Sequence, residues 1–209
     1  LNIGAGGIVG GGGGAKTINL GSGTLGSLTN WSSTLAMILV DTNTVNGTTV
    51  DTTGGDIRLS GALTGPGTLT KAGAGELHLI GNHSYSGSTF VAEGVLAGSG
   101  QIASDLQIES AGTLAPGGSS TTAVFVVSND VTFAEGGTLQ IDLAGDSAGL
   151  DYDQLSVSGI LDLGGRAVLD VRNPVFQLNV EKTFTIAEGF SALSGIFKGL
   201  PEGAIVPGS

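Results

Sequence analysis

The sequence predicts an all-β chain folded as a parallel β-helix, in which short strands stack coil upon coil. Leucines recur at steps of 18, 19 and 18 residues, a near-constant period that is typical of solenoids. These leucines are Leu59, Leu77, Leu96 and Leu114. Glycine turns separate short alternating segments such as residues 76–80, and no helical periodicity lies between them. Each repeat holds too few apolar side chains to bury a core alone, so the repeats must stack.

The composition agrees with a thin fold made of many strands. The 209 residues include 39 glycines, with only 5% aromatic and 12% charged residues, yet the mean hydropathy is +0.32. A disordered chain would combine low hydrophobicity with high net charge, and collagen would place glycine at every third position. Glycine turns between small polar and β-branched residues are what stacked short strands require.

Charge and cysteine content exclude several classes of partner and site. Seven basic and 18 acidic residues give a net charge of −11, which disfavours nucleic acid as a partner. The absence of cysteine excludes disulfide scaffolds and cysteine-type zinc sites. The longest apolar run, residues 35–40, is far shorter than the roughly 20 residues that cross a bilayer. We therefore expect no cofactor and no membrane insertion by this segment.

The chain divides into three predicted regions. Residues 1–15 form a glycine-rich arm or a first coil, with Ile3, Ile8 and Val9 among their apolar side chains. Residues 16–122 carry the coils, and Trp31, the single tryptophan, is expected to plug the core or cap its end. Near residue 122, proline and glycine are followed by small polar residues, which indicates a boundary.

Residues 123–209 are predicted to form a β-rich C-terminal region that continues and caps the β-helix. The leucine steps lengthen there to 25 and 22 residues, ending at Leu139 and Leu161. More continuous apolar runs favour strands that are covered on both faces. The closing segment holds four of the seven phenylalanines once Phe176 is included, as a bulky cap would require.

The most specific pattern lies between residues 67 and 96. The run GTLTKAGAGELHL, followed by NHSYSGSTFVAEGVL, resembles the passenger-associated transport repeat of bacterial autotransporters almost throughout. Weaker resemblance to autotransporter passengers continues at residues 112–117, 152–159 and 197–204. The repeat positions are Gly67, Leu69, Gly75, Leu77, Leu79, Tyr85, Gly87, Gly94, Leu96, Gly112 and Leu114. The resemblance implies a right-handed β-helix at the cell exterior or bacterial surface, whose C-terminal part nucleates folding.

Acidic residues are the densest candidates for chemistry. Asp142, Asp146, Asp151 and Asp153 lie within IDLAGDSAGLDYDQL. Paired carboxylates could act as acid and nucleophile, and the last three could bind calcium. Alternatively, Asp146 and Asp151 shape turns, and the resemblance makes Asp153 structural.

The two histidines do not suggest a metal site. His78 and His83 are five residues apart, which is not a metal-ligand spacing. We expect both side chains to lie at the surface, either exposed or with their hydrogen bonds satisfied. The sequence therefore predicts that the chain is not an enzyme and has no catalytic residues.

The sequence favours a non-enzymatic extracellular structural protein, either a surface passenger or stalk or a fibre subunit joined head to tail. If the chain is a fibre subunit, residues 1–14 of one chain are expected to dock on the terminal coil of the next. The predicted contact residues are Ile3, Ile8, Val9, Phe197 and Leu200. A monomeric passenger fragment with an adhesive role and a carbohydrate-binding or carbohydrate-active β-helix are the alternatives. No host or surface glycan can be named from the sequence.

Overall fold

The computed structural model describes residues 1–10, 14, 16–40, 47–172 and 183–201, and these residues contain strands and no α-helix. The strands are β1 (Asn2–Ile3), β2 (Thr17–Leu20), β3 (Gly23–Ser27), β4 (Trp31–Ser33), β5 (Ala36–Leu39), β6 (Thr48–Asp51), β7 (Ile57–Leu59), β8 (Leu63–Thr64), β9 (Leu69–Ala72), β10 (Glu76–Leu79), β11 (Asn82–His83), β12 (Thr89–Gly98), β13 (Gln101–Ile102), β14 (Leu106–Pro116), β15 (Val124–Val127), β16 (Val131–Phe133), β17 (Thr138–Asp142), β18 (Gln154–Val157), β19 (Ile160–Asp162), β20 (Val168–Arg172), β21 (Ala187–Glu188) and β22 (Ala192–Ser194). No helix long and apolar enough to cross a membrane occurs in this part of the chain.

The strands form three faces of a coil. Face 1 runs β1-β3-β6-β9-β12-β14-β16-β19-β22, and face 2 runs β4-β7-β10-β12-β14-β17-β20. β12 and β14 serve both faces, and their pairing shifts register at the corner between Val91 and Glu93. Face 3 consists of β2-β5-β8 followed by β11-β13-β15-β18-β21. All strand pairs are parallel, which confirms the predicted parallel β-helix; its hand stays a prediction.

Alternate side chains of each strand point into the coil and stack in columns, as the two-residue period of a strand requires. One column on face 1 contains Leu25, Val50, Lys71, Val91, Ile108 and Phe133. The repeat leucines and the repeat tyrosine are fully buried at Leu69, Leu77, Leu79, Tyr85, Leu96 and Leu114. Burying one such side chain stabilises the fold by about 1.5–3 kcal/mol.

The leucine spacing predicts the wrong strand register for one coil of the repeat region. Leu77 pairs with Ile57, and Leu59 pairs with Leu79, so the step between these coils is 20 residues and not 18. The next two steps, through Leu96, are confirmed. Apolar residues occupy every second position of these strands, so a leucine alone does not identify its partner. The length of the turns sets the register.

The C-terminal coils are longer than predicted. The 25-residue step to Leu139 is confirmed, but the 22-residue step from Leu139 to Leu161 is wrong. Leu139 pairs with Leu169, and Leu161 pairs with Val131, so both steps are 30 residues. The extra length lies in the loop of residues 143–153, which joins β17 to β18.

Residues 1–10 lie on the stack as a first coil. β1 pairs with β3, and Ile3 and Ile8 are partly buried against the core. The hydroxyl of Ser33 donates to the carbonyl oxygen of Ile8 at 2.8 Å. Trp31 is buried in the core.

Aromatic side chains cover the last described coils. Phe184, Phe190 and Phe197 are partly buried against the core. The ring of Phe184 meets that of Tyr152 edge to face, with centroids 5.3 Å apart. Phe176 and residues 202–209, which belong to the predicted cap, lie outside the described residues.

Candidate functional site

A buried ammonium group joins adjacent coils at the corner between faces 1 and 2. Lys71 occupies the inward column between Val50 and Val91 and has no solvent exposure. Its Nζ donates to the carbonyl oxygens of Ala72 at 3.0 Å, Gly73 at 2.6 Å and Glu93 at 2.8 Å, which uses all three N–H groups. Burial lowers the pKa of Lys71 to about 8, so the ammonium is still charged at pH 7.

Hydroxyl side chains join the earlier coils at the same corner. The hydroxyl of Ser27 donates to the carbonyl oxygen of Gly55 at 2.7 Å. The hydroxyl of Thr52 contacts the carbonyl oxygens of Ala72 and Gly73, at 3.2 Å each, and these also accept from Lys71. Ser27, Thr52 and Lys71 together form what we call the corner ladder. The ladder supplies donors to the carbonyl oxygens of Gly55 and Gly73, while the carbonyl oxygen of Ala72 also accepts the backbone N–H of Thr52 at 2.9 Å.

Carboxylates and one amide join coils where strands begin. The Oδ1 atom of Asn30 accepts the backbone N–H of Asp56, and Oδ1 of Asp56 accepts the N–H of Glu76, both at 2.8 Å. Oδ1 of Asp130 likewise accepts the N–H of Ile160 at 2.7 Å. Each acceptor lies one coil before its donor. These side chains therefore join adjacent coils through hydrogen bonds.

The four aspartates of residues 142–153 have different environments. Asp153 is fully buried and accepts the backbone N–H groups of Ala123 at 2.9 Å and Asp142 at 3.0 Å. Burial raises the pKa of Asp153 to about 7. Asp151 accepts the N–H of Ser147 at 3.1 Å, while Asp146 is exposed. Within the described ranges no three His, Cys, Asp or Glu side chains form a group that could hold a metal ion; calcium binding stays a prediction.

A loop covers part of the outer surface of face 2. Ala97 and Ala115 point outward but are fully buried, and the loop of residues 117–122 passes over Ala97. A Cβ atom built on Gly118 would lie 3.1 Å from the Cβ of Ala97. The backbone N–H of Ser119 reaches Oε2 of Glu76 at 3.5 Å, two coils away. Small side chains at 97 and 115 leave the room that this loop needs.

The loop brings Ser119, Glu76 and His78 together. Nε2 of His78 lies 2.9 Å from Oε2 of Glu76, and hydrogen bonds from His78 and Ser119 hold the pKa of Glu76 below its ordinary range. A catalytic triad requires the imidazole between the hydroxyl and the carboxylate. In this cluster the carboxylate is the shared partner, so the geometry does not activate Ser119 as a nucleophile.

His83 is not a surface residue, and that expectation from the sequence is wrong. Its side chain is 2% exposed, and Nδ1 accepts the backbone N–H of Leu63 at 3.2 Å. Burial lowers the pKa of His83 to about 4. The imidazole is therefore neutral at pH 7 and accepts a backbone hydrogen bond inside the coil.

Sequence reasoning did not single out Lys71, although a signal was present. Lys71 follows Leu69 by two residues, and Leu69 is an inward position of the repeat. Strict alternation therefore predicts an inward lysine. A charged residue at an inward position requires internal partners, which the corner supplies.

Comparison with known proteins places Lys71, one of the three residues of the corner ladder, within a recognised repeat. The passenger-associated-transport-repeat family matches residues 69–97. An extracellular serine protease of Serratia marcescens is 44% identical over 85 residues, which is 39% of this chain and 8% of that protein. Another extracellular serine protease of that organism is 52% identical over 56 residues, or 27% of this chain and 5% of that protein. The chain thus matches less than a tenth of the length of either relative. No solved structure matches the chain.

Proposed function

Because this chain carries the passenger-associated transport repeat of extracellular autotransporter passengers, we propose that it forms a non-enzymatic, β-helical stalk segment of such a passenger. The observation that carries the proposal is the use of buried and half-buried polar side chains to join coils. Lys71, Thr52 and Asp56 all bond to backbone groups of an adjoining coil. In a solenoid most contacts lie between adjacent coils, so such bonds contribute to the stability of the whole stack.

Side-chain bonds between coils run in both directions along the stack. The side chains of Ser27, Asp56 and Asp130 bond to the following coil, and those of Ser33 and His83 bond to the preceding coil. Coils are therefore held on both sides. The expectation that the C-terminal part nucleates folding rests on the family resemblance alone.

The absence of proteolytic activity is the first test of the proposal. The purified chain should leave casein intact and should not react with a fluorophosphonate probe, which labels activated serines. The reason is that the carboxylate of Glu76 separates Ser119 from His78. Ser119→Ala should give the same background as the natural chain. Labelling of the natural chain that Ser119→Ala abolishes would overturn the proposal.

A second candidate function is self-association of these rods end to end, favoured by apolar side chains exposed near both ends of the stack. Leu1 and Val9 are 78% and 77% exposed, and Leu193 and Ile196 are 53% and 47% exposed. β1 and β22 are also the outermost of the described strands of face 1. Strand edges pair readily with another chain, and head-to-tail contacts that do not close give filaments.

The predicted contact residues divide between core and surface. Ile3, Ile8 and Phe197 pack partly against the core of their own chain, and Leu200 is half-buried. Val9 remains the most exposed of the five. It is therefore the residue through which the first coil is best tested.

End-to-end association predicts filaments by negative-stain microscopy of the purified chain at rising concentration. Val9→Asp and deletion of residues 1–14 should both reduce them to short rods, because a charge or a missing coil disrupts the joint. Leu28→Asp is the matched control, since Leu28 is 66% exposed in the turn between β3 and β4. Short rods from the natural chain at every concentration would contradict end-to-end association.

A further inference from the structure

Face 3 is interrupted between β8 and β11, and the ring of His83 lies at the interruption. The carbonyl oxygen of Leu63 in β8 still accepts the backbone N–H of Ser84 at 2.8 Å. The N–H of Leu63, however, donates to Nδ1 of His83 at 3.2 Å. In a regular parallel ladder this N–H would reach a backbone carbonyl oxygen of the next strand. One imidazole therefore replaces one backbone acceptor between two coils.

The bond to Leu63 determines which nitrogen of the ring carries the proton. A neutral imidazole has one donor nitrogen and one acceptor nitrogen. Because Nδ1 accepts from Leu63, the proton of the neutral ring lies on Nε2. Nε2 is buried and has no hydrogen-bond partner among the described residues. A second proton would have to bind at Nδ1, where it would point at the N–H of Leu63 and break the bond between the two coils.

Face 3 offers no counter-ion to a protonated His83. Of the described strands β2, β5, β8, β11, β13, β15 and β18, only β11 contains a titratable side chain, and that side chain is His83. The first acidic residue on this face is Glu188 in β21, four strands along the sheet from β11. An imidazolium at this position would therefore be an unpaired charge in the core, which is costly.

The other buried titratable groups of the described residues are engaged elsewhere. The ammonium of Lys71, itself a cation, is held by carbonyl oxygens at the corner between faces 1 and 2. The hydroxyl of Tyr85 bonds to a threonine hydroxyl at 2.6 Å. The carboxylate of Asp153 accepts two backbone N–H groups near the start of β18.

The charged side chains of the neighbouring strands β7 and β10 lie on the outer surface. Arg58 of β7 is exposed, and Glu76 and His78 of β10 contact each other at 2.9 Å. None of them is a partner for the ring of His83. Burial is accordingly the cause that lowers the pKa of His83 to about 4.

We propose that His83 forms an acid-sensitive joint in the coil stack, at which protonation of Nδ1 breaks the bond to Leu63 and opens face 3 between β8 and β11. Faces 1 and 2 keep their own ladders across these coils, through β6-β9 and β7-β10, so the opening is confined to one face. The opened strand edges would present free backbone groups, which pair readily with another strand. The inference does not depend on the stalk proposal, because it concerns a single step of the stack.

The sign and size of the acid response follow from the two states of the ring. The pKa of His83 is about 4 when the joint is closed, against an ordinary value of 6.5. Between these values the open joint binds a proton that the closed joint does not, so the closed joint loses stability as the pH falls from about 6.5 towards 4. The opening equilibrium should therefore be about 20-fold more favourable at pH 5 than at pH 7.

Asp153 titrates in the same range with the opposite sign. Burial raises the pKa of its carboxyl to about 7, so its contribution to stability decreases as the pH rises through this window. A comparison between variants that all retain Asp153 cancels this contribution and leaves that of His83.

Amide hydrogen exchange of the full chain, followed by NMR at pH 7 and pH 5, tests the inference. After correction for the intrinsic rate, the protection of the Leu63 amide should fall by about 20-fold in the natural chain. His83→Asn places a carbonyl oxygen near the position of Nδ1 but does not titrate, so this variant should change by less than about threefold. His78→Asn, at the other histidine, is the matched control and should keep the full loss.

The nitrogen chemical shifts of the His83 ring give a second readout that needs no variant. At pH 7 they should identify the tautomer with its proton on Nε2. A proton on Nδ1 would overturn the inference, because such a ring could not accept from Leu63. This readout and the Leu63 amide are both measured on the natural chain, so they decide the matter even if His83→Asn fails to fold.

Three exchange results would also overturn the inference. The first is a Leu63 amide that is equally protected at pH 7 and pH 5 in the natural chain. The second is the same loss of protection in folded His83→Asn as in the natural chain. The third is a loss that His78→Asn abolishes, which would assign the acid response to the outer surface of face 2.

Discussion

Lys71→Met is expected to lower the free energy of unfolding by about 2–6 kcal/mol, because it removes three charge-assisted hydrogen bonds and recovers only the cost of burying the charge. Each such bond contributes roughly 1.5–3 kcal/mol. The pKa of Lys71 falls from its ordinary 10.5 to about 8, so relief of burial returns about 3 kcal/mol. The carbonyl oxygen of Glu93 would also lose the donor that Lys71 supplies. Urea denaturation followed by circular dichroism measures the difference.

Lys16→Met is the matched control, since Lys16 is exposed and its replacement should change stability by less than about 0.5 kcal/mol. The pH dependence gives a second readout. Between pH 8 and 10.5 the folded chain binds fewer protons at Lys71 than the unfolded chain does. The contribution of this residue to stability therefore rises with pH across that window, and Lys71→Met should lack the rise. Equal stability of natural chain and variant throughout would contradict the role assigned to the ammonium.

Gly94→Ala is expected to cost about 3 kcal/mol or more, because an unfavourable left-handed backbone conformation and a steric clash coincide. Gly94 has a φ of +70°, and a Cβ atom there would lie 2.3 Å from the carbonyl oxygen of Gly73 and 2.8 Å from Nζ of Lys71. The backbone of the preceding coil would have to move, which would disturb the corner ladder. Urea denaturation again provides the measurement.

Gly165→Ala separates the clash from the backbone strain. Gly165 has a φ of +73°, but among the described residues no non-neighbouring atom lies within 4 Å of its added Cβ. This control should therefore cost only the roughly 1–2 kcal/mol of a left-handed alanine. Equal losses at Gly94 and Gly165 would show that the contact between coils contributes nothing. In the double variant Gly94→Ala with Lys71→Met, the losses should be less than additive, because both disrupt the same corner.

The repeat region was well predicted because its signals are local. Alternation and glycine turns indicate short strands, and a repeat of about 20 residues requires stacking, whatever the rest of the chain does. The parallel β-helix follows from these features. The repeat leucines also lie in the core, where their alternation places them.

The site was predicted less well because it depends on contacts between coils. The interior position of His83 and the cover over Ala97 follow from the paths of turns and loops. Nothing near Asp142 in the sequence indicates that residues 119–122 will face it across a groove. These contacts join residues 20 or more positions apart.

The strand type, the parallel stacking and the inward phase of each strand follow from the amino-acid pattern, because they depend on a period of two residues and on a repeat that cannot bury its own core. The register and the partners of the buried polar groups instead depend on how the coils meet in the folded chain. Leu77 could meet Leu59 or Ile57 without changing the face on which it lies, and the turn lengths selected Ile57. Lys71 is stable inside the coil only because the stacked turns present three carbonyl oxygens to its ammonium.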